Sequence, residues 1–473
     1  MKKIGFVCLI LCVILATEYF AVPVFATGAI QNSTITNGSH SVDAQIPVLG
    51  SDQLVNNTQS AVLFEANSET LMYAWNADAQ MSPASLVKIL TALIVAERGN
   101  LSDAVTVTEA ALNTVPYDAV TVDMQPDEVL TVEDLLYCMM VGSANDAAAV
   151  LAEHLYGSQA AFVSEMNRYA QALGCTGTNF TNVHGLHDDD QYTTARDVVR
   201  ILAAAVRNEL FCTVFEAVQY TVPATNKSAA RDLVTGNYLM NHNQDSVEIY
   251  YDGRVTGGRT GVTSTGHRCI AVTAENNGML LISVIMGAKS VYQEDGYTVQ
   301  SFGGYKETSA LLDAGFEGYT ATQIICANQA LAQYSVENGA SDVVVGTKES
   351  VYTVLPEGVT SSELNYRYSA VGGFKAPVEK GEALSGVEVW YGNLCVAQVD
   401  LYAMNSVPIQ REQTVNTVNE NDNLSWPLVL TATVCIAVGS ILLVVIIRAV
   451  GRLRLAAARS RSRRYRRNRR RSR

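Results

Sequence analysis

Ser85 and Lys88 lie three residues apart in Ser82-Pro83-Ala84-Ser85-Leu86-Val87-Lys88-Ile89-Leu90-Thr91-Ala92-Leu93-Ile94-Val95. On a helix that spacing puts both side chains on one face. The segment is apolar almost all round, which predicts a buried helix. Ser82 suits its N-cap, Pro83 its first position, and Gly99 its end. Burial lowers a lysine's pKa, and a neutral amine beside a hydroxyl can take its proton and make it a nucleophile. Ser85 would also fall in the first turn, where backbone N–H groups without helical partners can hold an oxyanion. The spacing alone is weak, since Ser-x-x-Lys arises by composition in roughly one chain in two of this size.

Two further groups could complete such a site. Thr131-Val132-Glu133-Asp134 reads as a capping box opening a helix to about Val141, and Asp146 to Tyr156 reads as the next helix, ended by Gly157. Ser143 and Asn145 therefore fall on the connection. There a hydroxyl could relay a proton and an amide could hold a substrate amide, although Ser and Asn are also ordinary helix caps. Gly258-Arg259-Thr260-Gly261 precedes a hairpin and reads as a strand at the edge of a cleft. Its glycines allow a peptide backbone to approach, and Arg259 could fork onto a terminal carboxylate. A Gly-rich turn with a solvated Arg is the plainer alternative.

The elements that must position these residues form an α/β domain. Ala61 to Phe64 and Leu71 to Trp75 read as strands, the chain from Ser82 to about Tyr220 as mostly helical, and Ile270 to Thr273 and Leu280 to Ile285 as a hairpin turning at Asn276-Asn277-Gly278. The strands at both ends of this region must meet in one sheet. From about Gly315 the pattern changes to short β runs: Thr322 to Ala327, Asp342 to Val345, Val351 to Leu355, Val387 to Tyr391 and Val396 to Leu401. They indicate a small all-β domain. The expected organisation is a leader over 27–55, the α/β domain over 56–315, the β domain over 316–406 and a polar linker over 407–425.

Both termini carry targeting patterns. Residues 1–26 read as a secretory signal: Lys2 and Lys3, an apolar run from Ile4 to Ala16, and a small residue at Ala26. Trp426 to Ile447 is an uncharged stretch of 22 residues, long enough to span a bilayer. The basic tail over 448–473 stays inside by the positive-inside rule, which places residues 27–425 outside the cell membrane. Two N-terminal lysines and thirteen arginines after residue 447 make up 15 of the 33 basic residues. The body between them holds 18 basic against 45 acidic residues, about −27. That charge disfavours nucleic acid. The cysteines outside the signal and the span include no C-x-x-C pair, which argues against a zinc knuckle or redox motif. His184, His187 and Asp188 to Asp190 make a weak metal candidate.

Ser85-x-x-Lys88, Ser143-x-Asn145 and Arg259-Thr260-Gly261, in that order, resemble the three motifs of penicillin-binding proteins and serine β-lactamases. Val141-Gly142-Ser143-Ala144-Asn145-Asp146, Asn182-Val183-His184-Gly185-Leu186, Tyr192-Thr193-Thr194-Ala195-Arg196-Asp197 and Ala376-Pro377-Val378-Glu379-Lys380-Gly381 narrow this. They are similar to the low-molecular-weight D-alanyl-D-alanine carboxypeptidases, serine peptidase family S11, over about residues 55–405. The resemblance implies a β-lactamase/transpeptidase-like fold, an antiparallel sheet flanked by helices. It makes Ser85 the nucleophile, Lys88 its general base and Ser143 the donor of a proton to the leaving amine. Asn145 would hold the substrate, Arg259 and Thr260 its terminal carboxylate, and the N–H groups of Ser85 and Val262 the oxyanion. It implies no metal or organic cofactor. The partners would be peptidoglycan stem peptides, β-lactams as inhibitors, and the membrane through the C-terminal helix.

Two positions depart from the family. Arg259 stands where Lys is usual, and Gln191 where relatives often have His. The expected activity is removal of terminal D-Ala; binding of wall peptides without turnover as a sensor, and β-lactam hydrolysis, stay open as alternatives.

Overall fold

The computed structural model describes residues 48–49, 54–241, 248–295, 299–369 and 373–410. The expected signal over 1–26, most of the leader, the span over 426–447 and the basic tail lie outside the described residues, and no described helix is long and apolar enough to cross a membrane.

Five strands make the sheet that carries the site: β1 (Ser60–Glu65), β2 (Thr70–Trp75), β3 (Val255–Val262), β4 (Arg268–Asn276) and β5 (Met279–Ala288), in the antiparallel order β2-β1-β5-β4-β3. The N-terminal strands join the later ones through β1 and β5, with Ser60 opposite Met286 and Glu65 opposite Leu281. β4 and β5 form a two-residue hairpin in which Asn277 and Gly278 both take positive φ, at 51° and 77°. An Asn-Gly pair supplies that geometry at low cost.

Every residue of β1 is buried because both sheet faces are covered. Val62 and Phe64 face the helical layer, and Ala61 and Leu63 face a helix over Tyr305–Phe316. The helical layer is built on α1 (Val87–Arg98), whose residues 87–95 are all buried. Around it pack α2 (Val132–Met140), α3 (Asn145–Tyr156), α4 (Gln159–Ala172) and α5 (Ala195–Ala205).

The entry to α1 differs from the expectation. Ser82 makes no capping bond; the cap is Pro83, followed by a 3₁₀ turn over Ala84–Leu86, and the α-helix begins only at Val87. Ala84 stands at φ 47°, a left-handed conformation that costs an L-residue roughly 1–2 kcal/mol. The helix cannot run back through it. The preceding backbone is also tied elsewhere, Met81 pairing with Thr193.

The box at Thr131 does form: Thr131 Oγ1 accepts from Asp134 N at 3.0 Å while Asp134 Oδ2 accepts from Thr131 N at 3.3 Å. Thr131→Ala should lower stability by about 1 kcal/mol, read from the shift in urea midpoint at unchanged slope. An unchanged midpoint would show that the cap contributes nothing.

Beyond Phe316 the chain forms a β domain with its own core of Val343, Val345, Val387, Val389, Val399 and Leu401. Tyr319–Ile325 pairs with Val351–Pro356, and a five-stranded sheet contains Ala330–Tyr334, Val343–Gly346, Leu364–Tyr368, Ala383–Tyr391 and Leu394–Ala403. Ala330–Tyr334 and Leu364–Tyr368 were not expected from the sequence. They are the two outermost strands of that sheet, and their sequences, ALAQY and LNYRY, lack the apolar runs of the inner strands.

Candidate active site

Lys88 has no solvent exposure, yet each of its three possible N–H bonds has an acceptor. Nζ lies 2.7 Å from Asn145 Oδ1, 2.8 Å from the His184 carbonyl and 3.2 Å from Ser85 Oγ. The two shorter contacts are to atoms that can only accept, and the longest is to a hydroxyl that can donate. A neutral amine in this seat spends its two N–H bonds on Asn145 and His184 and turns its lone pair to Ser85. Burial first, and the Arg259 cation second, hold the Lys88 pKa well below its ordinary value, with Asp146 acting in the opposite sense.

Ser143 and Asn145 come from the α2–α3 connection. Ser143 takes φ 60°, and Asn145 is the first residue of α3. Both ends of the Asn145 amide are engaged: Oδ1 accepts from Lys88, and Nδ2 donates to the Val120 carbonyl at 2.9 Å. Expected as a holder of substrate, Asn145 here joins the lysine to the segment facing it. Asp146, which the sequence reading did not single out, is 2 % exposed and accepts backbone N–H groups of Val122 and Met124. An acid in the first turn of a helix whose residues 147–152 are all apolar was the available signal.

Arg259 lies on β3 as expected, but it is not a solvated surface residue. It is 4 % exposed, and burial pushes its pKa down to about 10. Nη1 donates to the Met140 carbonyl at 2.8 Å, Nη2 to Ser143 Oγ, and Nε to the Ser85 carbonyl at 3.4 Å. Three of its five N–H bonds thus join the Ser85 turn to Met140 and Ser143.

Register explains the split roles along β3. Arg259 and Gly261 point to one face with their partners Ala271 and Cys269, whereas Thr260 and Val262 point to the other with Ile270 and Arg268. Thr260 lies near the Tyr305 hydroxyl on that second face. A side chain at Gly261 would put its Cβ 2.6 Å from Ser85 N, so glycine is what lets the strand lie against that amide. Val262 is 54 % exposed, at the open end of the strand. β3 is outermost in its sheet, so its second edge has no ladder partner among the described strands.

Of the expected residues, Ser85, Lys88, Ser143, Asn145 and Arg259 are joined by one hydrogen-bond network, with Gly261 against the Ser85 amide, whereas Thr260 lies on the other face of β3. In the weak metal candidate, His184 Nδ1 accepts from Leu186 N at 3.2 Å, His187 Nε2 lies 3.4 Å from Asp189 Oδ1, and burial followed by the Lys88 charge pushes the His184 pKa down to about 3. Among the described residues no group of three or more His, Cys, Asp and Glu is placed to hold a metal.

Residues 50–290 match the family model for D-alanyl-D-alanine carboxypeptidase, and residues 319–408 match that for the C-terminal domain of penicillin-binding protein 5. The chain is 29 % identical to the D-alanyl-D-alanine carboxypeptidase DacA of Haemophilus influenzae over 388 residues, 80 % of this chain and 92 % of the relative. It is 26 % identical to DacF of Bacillus subtilis over 338 residues, covering 70 % and 81 %. Penicillin-binding protein 5 of H. influenzae aligns in three dimensions with a TM-score of 0.64 at 29 % identity, over 76 % of this chain and 100 % of that one. With the family model spanning half the chain around this site, the protein belongs to the D-alanyl-D-alanine carboxypeptidase family of low-molecular-weight penicillin-binding proteins.

Proposed function

We propose that this chain is a serine-type D-Ala-D-Ala carboxypeptidase that removes the terminal D-alanine from peptidoglycan stem peptides through an acyl-enzyme on Ser85. The observation that carries the reading is the Lys88 amine, 3.2 Å from Ser85 Oγ and fixed by two acceptors. Neutral Lys88 takes the Ser85 proton as Oγ attacks the carbonyl of the penultimate residue. The Ser85 and Val262 N–H groups receive the oxyanion. The peptide lies along the open edge of β3, a strand-addition mode of binding. Its terminal carboxylate meets the Arg259 guanidinium on the helical face of β3. Ser143, held by Arg259, relays the proton that Lys88 took from Ser85 to the departing D-Ala nitrogen, which leaves Lys88 neutral again, and water then attacks the ester to release the shortened peptide. A β-lactam enters as a mimic of the same acyl donor and acylates the same serine.

The same reading places the enzyme outside the cell membrane. Residues 1–26 direct export, and the apolar stretch from Trp426 to Ile447 anchors the chain with its basic tail in the cytoplasm.

Mass spectrometry of the intact protein after penicillin treatment, with D-Ala release from a synthetic D-Ala-D-Ala peptide on the same sample, tests the reading. The expected result is one penicilloyl group on the tryptic peptide containing Ser85, slow loss of that group, and release of free D-Ala. An adduct without D-Ala release identifies a sensor that binds without turnover. Rapid release of hydrolysed penicillin identifies a β-lactamase.

A further inference from the structure

The turn at Asn182-Val183-His184-Gly185-Leu186 touches the dyad at two points. The His184 carbonyl accepts from Lys88 Nζ at 2.8 Å. Gly185, at φ 91°, lies so close to the Ala84–Ser85 peptide that a Cβ there would stand 1.9 Å from Ala84 O and 3.0 Å from Ser85 N. Val183 extends the contact, its carbonyl accepting from Thr91 Oγ1 of α1 at 2.8 Å. One turn thus braces both the amine and the left-handed backbone that aims the Ser85 N–H.

The turn is closed by side chains. Asn182 Oδ1 accepts from Gly185 N at 2.7 Å, and its Nδ2 donates to Leu186 O at 3.0 Å. Gln191 spans the ends of the same segment. Its Oε1 accepts from Thr181 N at 3.3 Å and Asn182 N at 3.2 Å, while its Nε2 donates to Leu186 O at 3.1 Å. It is 4 % exposed. The position needs an acceptor and a donor at once, in a buried setting where an unmade bond is costly.

We infer that Gln191 is a positioning residue for the reaction: by clamping the 182–186 turn it fixes the Ser85 amide and the Lys88 amine, and it does so with a side chain that never titrates. This rests on the acyl-enzyme reading above. A neutral histidine offers the same donor and acceptor, but its acceptor is lost on protonation. A glutamate at this position offers the donor only while protonated.

The experiment measures the rate of acylation by labelled penicillin, per folded molecule, across pH for the wild type and the variants Gln191→His, Gln191→Glu and Gln191→Leu. Folded fraction is followed by circular dichroism in the same buffers. Relative to wild type, Gln191→His loses rate as pH falls through the imidazole range between about 5 and 8. Gln191→Glu loses rate in the opposite direction, as pH rises through its carboxyl pKa. Gln191→Leu is slower by about ten- to a hundredfold at every pH, the cost of a small misplacement of reacting groups. Opposite pH signatures at constant folded fraction support the clamp, because a purely structural defect would not change sign with the titrating group. Variant-to-wild-type ratios that stay flat with pH, or that only follow the folded fraction, overturn it. A wild type that forms no adduct overturns the acyl-enzyme reading and this inference with it, whereas a labelled wild type with unaffected variants overturns the inference alone.

Discussion

Lys88→Met is expected to slow acylation of Ser85 by about a thousandfold, within the range a positioned general base contributes, and Ser85→Ala to abolish it. The methionine fills most of the lysine's volume, so the apolar core around α1 is kept. What goes is the lone pair that accepts the serine proton, together with the two donors to Asn145 Oδ1 and the His184 carbonyl. Those acceptors are then buried without partners, so stability falls as well. Rates must accordingly be referred to the folded fraction. Wild-type rate should climb with pH as Lys88 gives up its proton and level off above its depressed pKa, because only the neutral amine can act as base. A limb of opposite sign, or a Lys88→Met variant acylated at the wild-type rate, would remove Lys88 from the chemistry.

Arg259→Met should cost about 10- to 150-fold in kcat/KM, the loss of a charge-assisted hydrogen bond at about 1.5–3 kcal/mol. It should also move the acid limb of the profile to higher pH. Both effects come from one group. Arg259 holds Ser143 Oγ and the carbonyls of Met140 and Ser85, and its charge is the second cause, after burial, of the lowered Lys88 pKa. With the cation gone, protonated Lys88 meets less repulsion, its pKa rises, and more alkali is needed to free the base. Arg259→Lys keeps the charge but not the fork, since a single Nζ cannot reproduce three bonds in a fixed plane. It should leave the limb nearly in place and lose less rate. A pH–rate series on the three proteins decides the matter. An unmoved limb in Arg259→Met would mean that its charge does not reach the base.

The Asn-Gly hairpin, the apolar helix, the capping box and the edge strand with its glycines are local patterns, and each was legible in the residues. The start of α1 was not. Ser82 and Pro83 satisfy every local preference for a helix start, yet the chain passes through a left-handed alanine there, because Gly185 and Gly261 press on the Ala84–Ser85 peptide from segments about 100 and 175 positions away in sequence. The outer strands of the β domain were missed for a related reason. An edge strand with one partner can be stable without a pronounced apolar pattern.

By itself the sequence determined which groups could react and in what order they occur: a serine and a lysine one turn apart, a hydroxyl and an amide at a helix junction, an arginine on a glycine-rich strand. It could not determine what each group is bonded to, because those partners are brought together only when the sheet closes. Lys88 owes its state to a backbone carbonyl 96 residues away and an amide 57 residues away, and Arg259 spends three donors inward on Ser85, Met140 and Ser143. Backbone acceptors carry no signature in the residue code. The tertiary structure therefore decided that the lysine is buried and fully coordinated, that the arginine is a brace as well as a cation, and that the 182–186 turn belongs to the site.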